Sequence, residues 1–108
     1  MNVINVDDDS FQDHVFSSNQ LVLAEFSGPG SSDSAQTSKL VDELARQFDG
    51  EVLALRIDKD SCEPTAENFG VDSVPTVIFF RNGSEVSRAT GLRGKEWFEQ
   101  EINKLLQS

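Results

Sequence analysis

The chain has 108 residues, enough for one hydrophobic core and too few for two. Nineteen acidic against nine basic residues give a formal charge of -10, which repels phosphate backbones and anionic lipid, so neither a nucleic-acid nor a membrane partner is expected. Cys62 is the only cysteine and His14 the only histidine, which rules out an internal disulfide and multi-thiolate zinc and makes metal catalysis hard to assemble; carboxylate-only magnesium or calcium sites remain formally open, and no metal and no cofactor are expected.

No stretch approaches the roughly 20 apolar residues that span a bilayer, and the start "MNVINVDDD" has neither a basic flank nor an apolar signal core. A cytoplasmic, monomeric protein made of a single domain over residues 1–108 is expected. The run "DKDSCEPTAE" begins like a calcium loop, but Glu63 stands at the sixth position, where such a loop turns on a glycine.

In chain order, Val3 to Val6 reads as a short strand. Asp7, Asp8 and Asp9 lead into a helix from about Ser10, with Phe11, Val15 and Phe16 along one face. "LVLAEF", Leu21 to Phe26, is nearly all apolar, as a strand covered on both faces must be. From Asp33 to Phe48 the residues Leu40, Val41, Leu44, Ala45 and Phe48 recur at helical spacing, and Asp49-Gly50 closes the segment. "VLALRID", Val52 to Asp58, is a second apolar strand, so strand, helix and strand form a parallel crossover. A short helix follows at about Pro64 to Phe69. "PTVIFF", Pro75 to Phe80, and "EVSRAT", Glu85 to Thr90, are strands joined at Asn82-Gly83, a strong hairpin signal. The last helix carries Trp97, Phe98, Ile102, Leu105 and Leu106 on one face. This order predicts a mixed sheet with helices on both sides.

The order, with "LVLAEF", "KLVDELARQFDGEVLALRID" and above all "FGVDSVPTVIFFRNG", resembles the thioredoxin family over nearly the whole chain. The resemblance implies an α/β thioredoxin fold, a central mixed five-stranded sheet flanked by four helices. It also implies a cis peptide bond before Pro75, which brings the backbone of Val74 against the active-site loop and leaves an edge on which an extended peptide can pair. On the residues alone, Pro75 is equally an ordinary proline at the start of a strand. Gly91 falls where the family keeps a glycine beside the substrate groove.

The resemblance fails in the active-site loop. The family's Trp-Cys-Gly-Pro-Cys falls on Gly30, Ser31, Ser32, Asp33 and Ser34, so serine stands at both cysteine positions. The buried aspartate beneath the cysteines corresponds to Glu25, whose pKa should rise if it is buried. The family's lysine near that carboxylate corresponds to Ala54, so no cation is expected beside Glu25. Ser27 and Gly30 stand for the usual tryptophans, and Lys39 for the proline that kinks the long helix. The chain is also about two residues longer than usual between Asp58 and Gly70.

Disulfide exchange needs a thiolate to attack and a second sulfur to resolve, and a serine hydroxyl supplies neither. A hydrolytic serine needs an adjacent base, and His14 lies on the first helix, in another part of the fold. Ser31 to Ser34 serve equally as helix caps, and Asp33 opposes an anion site there. Cys62, at the start of the short helix, feels a dipole that lowers its pKa and Asp58, Asp60 and Glu63 that raise it. An inert or merely exposed thiol far from the groove is expected rather than one that forms mixed disulfides.

Two functional readings follow. In the first, the protein is redox-inactive as written and binds an extended polypeptide along Val74, Pro75, Gly91 and the Gly30 to Ser34 loop. In the second, it is a Cys-to-Ser form of an atypical thiol-disulfide oxidoreductase with the parent motif Cys-Ser-Asp-Cys, acting in protein disulfide reduction and cell redox homeostasis.

Overall fold

The two apolar runs set the centre of the molecule. In the computed structural model, which describes residues 3–107, β2 (Leu21–Ser27) and β3 (Val52–Asp58) lie side by side and parallel, in register from Leu21 opposite Val52 to Ser27 opposite Asp58. Residues 1, 2 and 108 of the expected domain lie outside the described residues. β1 (Ile4–Val6) pairs parallel with the outer side of β3. β4 (Thr76–Arg81) pairs antiparallel with β2, and β5 (Ser84–Thr90) antiparallel with β4. The sheet order is β1-β3-β2-β4-β5, and four helices complete the thioredoxin fold: α1 (Asp8–Ser17), α2 (Ser32–Gln47), α3 (Glu63–Asn68) and α4 (Lys95–Leu106).

Alternation along β2 divides the core into two layers, because successive side chains of a strand point to opposite faces. Leu21 and Leu23 face Val41 and Leu44 of α2 and Phe98 and Ile102 of α4. Val22, Ala24 and Phe26 face Phe11 and Val15 of α1 and Ala66 of α3.

The first helix begins earlier than its apolar pattern suggests. Asp7 is the N-cap, accepting from the Ser10 amide at 2.8 Å, while the Ser10 hydroxyl accepts from the Asp7 amide at 3.0 Å. Each partner satisfies an amide that the first helical turn leaves unpaired. Asp8 and Asp9 fall in that first turn, where the helix dipole favours negative charge. Phe16 does not join the buried face: it is 62% exposed, whereas Phe11 and Val15 are buried. One position beyond Val15 the helix has rotated about 100°, which turns Phe16 onto the β4–β5 hairpin. Gly83 makes room for it, since a Cβ there would lie 2.7 Å from the ring. Asn82 and Gly83 both have positive φ, 52° and 81°, the backbone of a two-residue hairpin turn.

The helix α2 runs unbroken from Ser32 to Gln47. Lys39, where the family carries a proline, retains the amide that a proline lacks.

Candidate functional site

Ser31 is extended, with φ -103° and ψ 119°, and caps α2: its Oγ accepts from the Ser34 amide at 3.1 Å. Ser34 is buried, and its Oγ accepts from the Gly28 amide at 3.0 Å. Both hydroxyls thus fold the loop back on the helix start, the structural duty serine performs well at a cap. Gly30, Ser32 and Asp33 are exposed at the same bend.

The loop leans on the segment before β4. A Cβ on Gly28 would stand 3.0 Å from a methyl of Val74, so Val74 lies directly against the loop. The Val74–Pro75 peptide bond is cis. The Pro75 carbonyl accepts from the Gly91 amide at 2.9 Å, and Gly91 has φ +85°, the left-handed backbone that favours glycine. Val74 itself, half-buried, makes no backbone hydrogen bond with any described residue. The fold therefore brings together Gly30, Ser31, Ser32, Asp33 and Ser34 with Val74, Pro75 and Gly91, linked by the Gly28–Val74 and Gly91–Pro75 contacts.

Glu25 lies deeper. It is fully buried on the α2 side of β2, and its carboxylate accepts from the Ser38 hydroxyl, one helical turn beyond Ser34. Burial pushes the Glu25 pKa up, against the lowering effects of Ser38 and of Arg56. Arg56 corrects the expectation that no cation stands here. Its Nε donates to Glu25 at 2.8 Å, and its Nη2 donates to the Ser38 carbonyl at 2.9 Å and to Asp42 at 3.0 Å. Ala54 does stand opposite Leu23, but Arg56, two residues on and so on the same face, stands opposite Glu25 and supplies the charge.

His14 is on α1, in the opposite layer from α2, with its Nδ1 2.7 Å from the Ser10 carbonyl. The arrangement gives neither serine a base. Cys62 is buried rather than exposed, with its sulfur 3.9 Å from the Val6 carbonyl. Its thiol pKa is raised, first by burial and then by Asp8, Asp58 and Asp7, which disfavours the thiolate. No helix among the described residues is long and apolar enough to cross a membrane.

Comparison with known proteins agrees with this geometry. A model of the Thioredoxin family matches residues 2–104. Thioredoxin of Mycobacterium tuberculosis is 32% identical over 103 residues, 95% of this chain and 89% of that one. Thioredoxin of Synechocystis sp. is 30% identical over 101 residues, 94% of each chain. Thioredoxin M-type, chloroplastic, of Pisum sativum is 29% identical over 101 residues, and the chain spans 59% of that protein's length. This chain belongs to the thioredoxin family.

Proposed function

We propose that this protein is a redox-inactive member of its family that binds extended polypeptides beside the Val74–Pro75 turn. The observation that carries this reading is the backbone of Val74, half-buried beside the start of α2 and unpaired with any described residue. A strand edge of this kind recognises a peptide through main-chain hydrogen bonds and leaves specificity to neighbouring pockets. Loss of redox chemistry rests on composition and geometry together. Ser31 and Ser34 stand at the family's cysteine positions and use their hydroxyls as structural acceptors, while the single thiol, Cys62, is buried in the α1/α3 layer.

A second reading, a Cys-to-Ser form of a disulfide oxidoreductase with the motif Cys-Ser-Asp-Cys, is supported by Glu25. A buried carboxyl with raised proton affinity, bonded to α2 one turn beyond Ser34, is of use to a thiol pair that must gain and lose protons. It does nothing for a binding edge.

The double substitution Ser31→Cys, Ser34→Cys separates the two. The binding reading expects the doubly substituted protein to fold and to reduce a small aryl disulfide no faster than free thiol does. Turnover about a hundredfold or more above free thiol would overturn it in favour of the oxidoreductase. Independently, capped peptides of alternating valine and threonine should shift the amide resonances of Val74 and Gly91 in the protein as it stands. Unmoved resonances at both positions would remove the binding reading.

A further inference from the structure

We propose that the peptide taken up at Val74 carries an acidic side chain, received by Arg93 at one end of the groove; the inference rests on the binding reading above. Arg93 lies in the turn between β5 and α4, two residues after Gly91. Its Nη1 donates to the Thr90 carbonyl at 3.1 Å and to the Leu92 carbonyl at 3.4 Å. Its guanidinium carbon stands 5.7 Å from the centre of the Trp97 ring. Two carbonyls and an aromatic face hold the group in place, and its remaining N–H donors have no partner among the described residues.

Lys39, Arg46, Lys59 and Arg81 likewise have no carboxylate partner among the described residues; what sets Arg93 apart is that it is anchored beside a cavity. Acidic residues outnumber basic ones 19 to 9, and Arg56, Arg88, Lys95 and Lys104 each have a carboxylate partner. Arg93 has none among the described residues, although it is exposed in a chain of net charge -10. An anchored guanidinium loses little freedom on binding, and its planar fork matches a carboxylate.

The space beside it fits the same guest. A cavity of about 400 Å³ is lined by Gln36 and Leu40 of α2 and by Leu92, Arg93 and Gly94. Leu92 is one of three exposed large apolar side chains among the described residues, at 43%. The cavity thus offers an apolar wall and one cation, next to the Gly91–Pro75 contact that marks the pairing edge. Along an extended peptide, alternate side chains point the same way. A residue with an apolar stem and a terminal carboxylate, glutamate above all, fills the wall and reaches the guanidinium. At the other end the chain presents Asp72, exposed and two residues before Val74, which repels an acid. The charge of the groove therefore fixes which end of the peptide carries the acidic residue.

The probes are capped peptides of about ten residues, alternating valine and threonine, identical except for one glutamate, glutamine or lysine placed near either end. Affinity is measured by titration followed through the amide resonances of Val74 and Gly91. The expected result at low salt is a glutamate peptide that binds about three- to tenfold tighter than the lysine peptide, for one placement only. That preference should shrink as salt rises toward 1 M and disappear in Arg93→Gln. If all peptides bind equally and Arg93→Gln changes nothing, the acidic preference is wrong and the groove stands. If no peptide moves Val74 or Gly91, the groove and the preference fall together.

Discussion

Arg56→Met is expected to destabilise the protein by roughly 3 kcal/mol at pH 7 and by about 1 kcal/mol near pH 4. Methionine keeps much of the apolar stem but leaves Glu25, fully buried, with the Ser38 hydroxyl and no cation. The carboxyl then has two courses. Remaining ionised without a partner costs several kcal/mol, and taking up a proton costs about 1.4 kcal/mol for each pH unit above the unfolded pKa of about 4.3. Protonation therefore limits the penalty to just under about 4 kcal/mol at pH 7.

The sign follows from the same linkage. The folded state already holds the Glu25 proton more tightly than the unfolded state does, because burial raises its pKa. Its contribution is therefore most favourable below the ordinary carboxylate range and declines as pH rises through the folded-state value. Removing Arg56 raises that value further and extends the decline upward in pH. Urea midpoints for the two proteins between pH 4 and 8 should diverge steadily, and the divergence should disappear when Glu25→Gln is present in both. Curves that stay parallel across this range would show that Glu25 does not depend on Arg56. What remains near pH 4 is the loss of the arginine's bonds to the Ser38 carbonyl and Asp42.

Phe11→Ala should cost about 4 kcal/mol, a large share of the roughly 5–15 kcal/mol available to a domain of this size. The Phe11 ring is fully buried, with the rings of Phe69, Phe80 and Phe26 at 5.6, 5.9 and 6.1 Å, the first two edge-on and the third tilted. Truncation removes one member of an aromatic cluster that joins α1 to β2, β4 and the end of α3, and backbone elements on three sides prevent the space from closing. Phe16→Ala, five residues along the same helix, should cost less than about 1 kcal/mol, because more than half of that ring already faces solvent. Denaturant titration of both variants at one pH gives the comparison. Equal losses would mean that burial does not distinguish the two rings.

The fold was legible because its local signals agree with its packing. The apolar span of β3 coincides with the strand, and Asn82-Gly83 forms the turn it advertises. The outward turn of Phe16 was not legible, since its neighbour Val15 already meets the sheet and an aromatic residue at the end of an amphipathic stripe fits either side. The start of α1 was placed late because the capping pair Asp7 and Ser10 precedes the first buried residue, so the apolar pattern does not reach back to it.

The site divides in the same way. Ser31 and Ser34 are fixed by their distance from the strand and fall where the alignment puts them. Arg56 was missed because its role depends on strand register, which pairs residues 31 apart. A signal was present nonetheless: Glu25 in "LVLAEF" and Arg56 in "VLALRID" are charges of opposite sign flanked on both sides by apolar residues, whereas Asp58 only ends its run. Two such charges in adjacent buried strands must meet or go uncompensated. Arg93 gave no local signal, because an exposed arginine in a turn looks like any other until its anchoring beside a cavity is seen in three dimensions.

The position of Cys62 makes this protein its own reporter of breathing. With no other thiol in the chain, a thiol reagent can modify the molecule only when the α1/α3 layer parts from the sheet and uncovers the sulfur held near Val6. Labelling rates under native conditions would then measure how often that layer opens, without mutation or an introduced probe. The half of the molecule built on α2 and α4, which carries the peptide edge, would stay silent in the same experiment.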